Sequence, residues 1–495
     1  MRRAISKAVE LAQKGVRKLV LELPTGYGKT SAGPYLYHAY RELGLCWKAI
    51  HVFPLRTTLH KTLQKYVGEF RGIDFAYQDG DVTFASNGYV KDPFFTHEYV
   101  LTTLDSFIHN LLRAPIVELH KFYKESMAIH YHEPFSYIYP SCVIFDEAHL
   151  AAQDESGKSG ASLKVALNVL SEADIPVVVM SATLGDWKWS FFEDFTFVRL
   201  GASDSEDGRS FVVRDEEFER SLEKVRYVFH GIEYDKVAEV ARSQAEKGRR
   251  VLIVLNDIAR VIELSRDLGA PVVHSLLTRE DRRRAEEMIN DAWIFVGTSA
   301  IEAGVDVSFD TLITTVDSIE SLVQRLGRVC RKGWECEGEV YLVGGDGDLE
   351  KYNRMEWRLP YRENSYAGLL RRDVNPDESL SYVLNMMMGF LHLRKDEIKR
   401  IFRRYGGSFV RIPLIEVCVG SVCTYEKSFT ISLDRAEALR NLDVKVKVGD
   451  NLLEPPSRFD FEWLSEILGK HNVYPTLVLR EENYERGYGP CLRVA

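Results

Sequence analysis

The chain has 495 residues, too many for one core at about 150 residues per domain, so two or three domains are expected. Hydrophobic residues make up 45% and charged residues 28%, which excludes collagen-like, disordered and low-complexity classes. The net charge of −9 argues against a protein that coats nucleic acid through bulk charge, so any nucleic-acid contact must be local.

Residues 4–13 place Ile5, Ala8, Val9 and Ala12 on one face, which is helical spacing, and Lys14-Gly15 ends that helix. Short apolar runs follow at 18–23, 49–53, 99–102, 143–145 and 177–180, with helical patterns such as 163–170 between them. Apolar strands alternating with helices predict an α/β fold with a parallel sheet covered on both faces. An acidic, glycine-containing stretch at 203–208 reads as a linker or surface loop. The same grammar then restarts, with strands at 251–255, 272–273, 293–296 and 312–316. The expected domains are 1–200, carrying an insertion at 113–140, then 201–345, then an accessory domain at 346–495.

No apolar run approaches the roughly 18 residues of a membrane span, and the start lacks a signal-peptide core, so a cytoplasmic protein without membrane contact is expected. Seven cysteines, scattered and odd in number, suit reduced thiols better than a disulfide framework. The pairs Cys330/Cys336 and Cys418/Cys423 have the wrong intervals for a zinc ribbon.

The first strand runs into Pro24-Thr25-Gly26-Tyr27-Gly28-Lys29-Thr30-Ser31. Glycines at such a strand-to-helix turn let backbone N–H groups approach phosphate, and the helix start adds its positive end. Lys29 is placed for the β and γ phosphates of ATP, and the Thr30 hydroxyl for magnesium. Leu23 stands where glycine or alanine is usual, and Pro34 removes one N–H from the next helix. Behind another apolar strand, Asp146-Glu147-Ala148-His149 offers one carboxylate for the metal and a second to orient water.

With these two motifs the chain resembles the superfamily two helicases over roughly residues 15–345. The resemblance implies two tandem RecA-like parallel-sheet domains followed by the accessory domain, ATP and magnesium as cofactors, and particular roles for later motifs. Ser181-Ala182-Thr183, with His149, would couple nucleotide state to nucleic acid. Thr298 to Asp306 resembles the fifth motif, in which Gly304 and Asp306 would join the ATP site. Gln324-Arg325-Leu326-Gly327-Arg328-Val329-Cys330-Arg331 resembles the sixth, with Gln324 towards the γ-phosphate and Arg328 and Arg331 as arginine fingers.

Candidate nucleic-acid contacts are Arg56, Thr102 and Thr103 in the first half and Asn256, His274 and Thr298 in the second. Thr103 equally suits a helix cap before Leu104-Asp105-Ser106-Phe107, and His274 a satisfied core histidine. The insertion gathers His120, Tyr123, His130, Tyr131, His132, Phe135, Tyr137 and Tyr139, either a stacking surface for bases or a packed subdomain. Arg394, Lys395, Lys399, Arg400, Arg403 and Arg404 around Ile398, Ile401 and Phe402 form a basic amphipathic helix.

The phrasing 23–30, 53–56, 101–105, 143–149 and 322–328 is most similar to the helicase of type I CRISPR interference. That resemblance implies 3′ to 5′ translocation on single-stranded DNA beside a crRNA-guided surveillance complex. No adjacent His-Asp pair occurs in the chain, so the expectation is the stand-alone helicase subunit, with an HD-type nuclease on a separate polypeptide. The alternatives are a DNA-repair or RNA helicase of the same superfamily, or an ATP-dependent clamp that does not unwind.

Overall fold

The structure, a computed structural model, describes residues 1–80, 88–119, 121, 132–152, 154, 156–301, 307–331, 335–345, 348–370, 373–389 and 395–491. Its described strands form two largely parallel halves, a smaller mixed sheet and a two-stranded ribbon of Tyr484–Glu485 with Gly489–Pro490.

The first sheet has the order Phe75–Gln78, Tyr99–Thr103, Lys48–Phe53, Ser141–Phe145, Val177–Ser181, Lys18–Glu22, Thr196–Leu200, Ser210–Val213, Ser205–Asp207. All neighbours run parallel except the last pair. Residue parity divides the two cores: Val20, Ile50, Val52, Val143, Phe145, Val177 and Val179 pack on one face. Leu19, Leu21, Ala49, Phe53, Ile144, Val178 and Met180 pack on the other. This alternation, buried on both faces, is what the apolar runs required. In register, Glu22 lies beside Ser181 and Val52 beside Phe145, so several strands end in one row and release their loops along one edge.

The acidic stretch at 203–208, expected as a linker or surface loop, lies exposed on the surface at the sheet edge and is not a linker. Ser205–Asp207 pairs antiparallel with Ser210–Val213 at the sheet edge, and the first half closes at Val213 rather than at residue 200. The helix Glu216–Leu222, capped by the Asp215 side chain, then leads to the second sheet. Its order is Val225–Ile232, Cys336–Val343, Thr311–Thr314, Val251–Val254, Ile294–Gly297, Val272–Val273, all parallel.

The C-terminal region carries the sheet Ser428–Ser432, Leu414–Val419, Thr476–Leu479, Lys445–Val448, Asn451–Leu453, which mixes parallel and antiparallel pairs. It bridges both halves. Helix Glu378–Gly389 packs on helix Lys158–Glu172 of the first half, where Ser162 Oγ donates to Phe409 O at 2.7 Å and Ser159 Oγ to Val410 O at 3.1 Å. Against the second half, Tyr484 Oη donates to Asp281 Oδ2 at 2.9 Å and Arg279 pairs with Glu416. Helix Lys395–Arg404 turns Phe402, Ile398 and Ile401 into the core shared with the first half and leaves its basic side outward. Arg394 lies outside the described residues.

Four cysteines correct the reduced-thiol expectation: Cys330 is disulfide-bonded to Cys336 and Cys418 to Cys423, while Cys46, Cys142 and Cys491 are free. Each pair ties a strand residue, Cys336 or Cys418, to a loop residue close by, with Cα atoms 5.8 and 5.4 Å apart. Among the described residues no helix is long and apolar enough to cross a membrane, and no group of His, Cys, Asp and Glu is placed to hold a metal ion by itself.

Candidate nucleotide and nucleic-acid sites

The loop after Lys18–Glu22 turns through Gly26 and Gly28 with φ of 78° and 91°, a left-handed backbone that favours glycine. A short turn, Thr30–Ala32, leads into helix Gly33–Glu42. Pro34 falls in the first turn, where N–H groups lack intrahelical partners, so its missing donor is harmless. Lys29 is buried and folds back, Nζ donating to Leu23 O at 3.0 Å and Pro24 O at 3.3 Å. Thr30 Oγ1 donates to Asp146 Oδ2 at 2.7 Å, and Ser31 Oγ accepts from Lys65 Nζ at 2.7 Å. The Tyr27 side chain does not line the cleft that its neighbours form. It is buried away from the cleft, its hydroxyl donating to Asp215 Oδ2 at 2.5 Å and accepting from Ala4 N.

Asp146 follows directly from Ser141–Phe145, and its Oδ1 accepts the Glu147 N–H at 2.9 Å. Burial, then the Glu147 charge, pushes the Asp146 carboxyl well above the usual carboxylate range, against the opposing Thr30 hydroxyl and Lys29 charge. A buried carboxylate beside a hydroxyl is a hard-oxygen pair that suits magnesium. Glu147 has φ of 46°, rare for a residue with a Cβ, and this aims its side chain into the cleft.

A relay leaves this site. His149, 1% exposed, meets Ser181 Oγ through Nδ1 at 2.9 Å and accepts from Gln324 Nε2 at its own Nε2, 2.6 Å away. The second half is seated directly on the loop: a Cβ added at Gly327 would lie 2.9 Å from Thr25 Oγ1. Lys61 and Glu286 form a further ion pair between the halves at 2.8 Å. One cleft is thus lined by Thr25, Lys29, Thr30, Glu147, Gln324, Arg328 and Arg331, gathered from both halves. Thr183 is buried beside it, its N–H donating to Ser181 Oγ. Sequence reasoning passed over Arg325, which is buried and anchors the sixth motif through Thr314 Oγ1, Thr315 O and Asp317. Gly304 and Asp306 lie outside the described residues.

The nucleic-acid candidates divide. Arg56 opens helix Arg56–Glu69 and lines a cavity between the first half and the C-terminal region, with Gly80, Asp105, Ser408, Arg411 and Glu416. Arg56 Nη1 makes no hydrogen bond there, whereas Arg411 reaches Pro54 O. Arg411 and Ser408 were invisible to sequence reasoning, since no motif carries them. Thr103 borders the cavity, but its hydroxyl caps helix Leu104–Leu111 by accepting from Ser106 N. Thr102 is fully buried and donates to Thr103 O. His274 is likewise a core residue, bonded to Tyr488 O at 3.0 Å and accepting Leu276 N–H, with its pKa pushed down to about 4 by burial. In this arrangement the three side chains are bonded within the protein. Asn256 is exposed but bonded to Asp317, and Thr298 is 7% exposed with its hydroxyl accepting from Ala300 N. Of the insertion, His120, Tyr123, His130 and Tyr131 lie outside the described residues, while Phe135 and Tyr137 pack against the first core.

Residues 2–188 match the DEAD/DEAH box helicase family, and residues 247–333 match the C-terminal part of the CRISPR-associated nuclease/helicase Cas3 family. The chain is 25% identical over 363 residues to the CRISPR-associated helicase Cas3 of Thermoproteus tenax, covering 69% of this chain and 58% of that protein. It is 26% identical over 361 residues to the CRISPR-associated nuclease/helicase Cas3 of Methanothermobacter thermautotrophicus, covering 64% and 39%. The matched part is therefore about half the length of these relatives. The fold is that of the crystal structure of T. fusca Cas3, with a TM-score of 0.61 at 13% identity over 99% of this chain and 70% of that one. The crystal structure of the DUF1998 helicase MrfA bound to DNA superposes with a TM-score of 0.60 at 14% identity, covering 97% and 71%. The chain thus carries a DEAD/DEAH box helicase domain over residues 2–188 and, over residues 247–333, a segment similar to the C-terminal part of Cas3.

Proposed function

We infer that the chain uses ATP hydrolysis to move 3′ to 5′ along single-stranded DNA in CRISPR interference. It would act in the cytoplasm with a crRNA-guided surveillance complex and an HD nuclease on a separate polypeptide. The observation that carries this reading is the Ser181–His149–Gln324 relay, because it joins the hydrolysis site to the facing half through side chains.

In this reading Lys29 would leave the Leu23 and Pro24 carbonyls to hold the phosphates, and Thr30 and Asp146 would hold magnesium. The cation supplies charge neutralisation of the polyphosphate. Glu147 orients the attacking water, and Arg328 and Arg331 stabilise charge spreading over the γ-phosphoryl oxygens. His149 reports the state of Glu147, 3.4 Å from it, to Gln324 and so to the second half. Strand held under the C-terminal region by Arg56 would then shift as the halves open and close. Phosphate contacts carry no base information, which suits a motor on any sequence.

The test is strand displacement with duplexes bearing a 3′ or a 5′ single-stranded tail, in DNA and in RNA, with ATP and magnesium. Displacement from the 3′-tailed DNA alone is expected, with no cutting until a separate nuclease is added. Unwinding of RNA duplexes favours the repair or RNA helicase alternative, and strand-stimulated hydrolysis without displacement favours a clamp.

A further inference from the structure

Strand Lys48–Phe53 sends Ile50 and Val52 to one core and Ala49 and Phe53 to the other. His51 shares the second face and is fully buried where the alternation calls for an apolar side chain. A polar ring in that position is costly unless its nitrogens are used. It is fixed by stacking on Phe53, with ring centroids 4.3 Å apart, and by Tyr99 Oη, 3.0 Å from Nδ1. The neighbouring Tyr66 hydroxyl donates to Thr30 O, the backbone of the phosphate-binding loop. The cluster presses on the helix that follows: a Cβ at Gly33 would come within 2.9 Å of both Tyr99 Oη and His51 Nδ1.

The other nitrogen is unexplained by packing. His51 Nε2 is buried, makes no hydrogen bond, and lies 3.9 Å from Asp146 Oδ2. Burial keeps the imidazole neutral, so it carries one N–H. In the tautomer that lets the Tyr99 hydroxyl donate to Nδ1, that hydrogen sits on Nε2 and points at the carboxylate. The reverse tautomer would set a lone pair against an anion.

The geometry points to His51 as a positioning residue for Asp146, with its Nε2–H facing Oδ2 and its Nδ1 locked by Tyr99 behind the nucleotide cleft. At rest Oδ2 is bonded by the Thr30 hydroxyl. When Thr30 turns that hydroxyl's oxygen to a cation, His51 is the donor in line to hold Oδ2, which keeps the opposite lone pair of the carboxylate aimed into the cleft. Outer partners of this kind commonly change metal affinity or activity 10- to 100-fold. The inference rests on reading Thr30 and Asp146 as the magnesium site.

Three substitutions separate positioning from packing. Gln sets its amide nitrogen where Nε2 was, Asn sets it where Nδ1 was, and Phe removes both. The affinity for ATP, with magnesium and with EDTA, is measured beside kcat, KM and thermal unfolding. His51→Gln should stay within about threefold of wild type, while His51→Asn and His51→Phe lose about 10- to 100-fold in kcat and in the magnesium-dependent gain of affinity. Affinity in EDTA should stay unchanged in all three. Equal effects of Gln, Asn and Phe, whether all intact or all impaired in EDTA as well, would overturn the positioning role. Wild-type protein whose ATP affinity ignores magnesium would overturn the nucleotide-site reading itself, and the role of His51 with it.

Discussion

The nucleotide cleft and the cavity under the C-terminal region are built alike, from loops at the ends of neighbouring parallel strands, yet they assemble differently. The cleft draws on runs of adjacent residues: one loop contributes Thr25, Lys29 and Thr30, and one helix end contributes Gln324, Arg328 and Arg331. The cavity draws single side chains from far apart, such as Arg56, Asp105, Ser408 and Arg411. A cleft made of short motifs is fixed by the local backbone, whereas a cavity made of scattered residues exists only once the C-terminal region has packed on the first half. The first should therefore fail through chemistry when altered, and the second through affinity or stability.

The largest effect on the turnover of bound ATP should come from the facing half. Arg328→Ala and Arg331→Ala are each expected to lower kcat about a thousandfold with little change in ATP affinity, because a guanidinium from the opposite domain acts mostly in the transition state. Single-turnover hydrolysis beside equilibrium nucleotide binding decides it. If affinity collapses while turnover per bound ATP stays normal, both arginines are ground-state ligands.

Next in size are the groups on the first half. Lys29→Ala should abolish hydrolysis together with ATP binding, and Glu147→Gln should bind ATP yet turn over at least about a hundredfold more slowly. Phosphate release and strand affinity in ATP are the readouts. Normal turnover in either variant would break the assignment of the cleft.

How much of this was legible in the sequence follows the same division. The α/β halves could be read because strand parity and buried faces repeat over five or six residues, as in Lys18–Glu22 and Val177–Ser181. The edge strand Ser205–Asp207 could not, since three exposed polar residues carry no alternation and are held by backbone pairing alone. The disulfides depend on how the sheets bring Cys330 to Cys336, which spacing does not encode. Tyr27 sits inside the phosphate-binding motif, yet its side chain serves the connector through Asp215 because the loop turns it beneath the N-terminal helix. Arg411 had no local signal at all; its place is set by the packing of residues 405–410 on helix Lys158–Glu172.

A pH dependence distinguishes the cavity wall from the cleft. His109 borders the cavity, stacks on Phe409 with centroids 5.4 Å apart, and donates Nδ1–H to Ala114 O. Burial pushes its pKa down to about 4, against the opposing charge of Asp105. The unfolded chain protonates near 6.5 and the folded one resists, so the stability present above pH 6.5 is lost as pH falls towards 4. The slope is at most about 1.4 kcal/mol per pH unit for this residue. Urea unfolding of His109→Phe at several pH values should show a shallower acid slope. A slope identical to wild type would mean that the stack opens to water before the imidazole titrates.

The smallest effects should separate two residues that the sequence grouped together. Arg56 and Thr103 both border the cavity, but only the arginine has an unbonded polar atom there, while the threonine hydroxyl is committed to Ser106 N. Arg56→Ala is therefore expected to weaken single-stranded DNA binding uniformly across sequences and to lower the salt slope by about one unit, as for the loss of one phosphate contact. Thr103→Ala should leave strand affinity nearly unchanged and cost about 1 kcal/mol of stability through the lost cap, which Thr103→Ser should restore. Salt titrations of strand binding beside urea unfolding give both numbers for each variant. Were Thr103→Ala to lose strand affinity with its stability intact, the hydroxyl would have to leave its cap for the phosphate. The cavity would then be assembled by the strand itself, instead of being complete once the C-terminal region has packed on the first half.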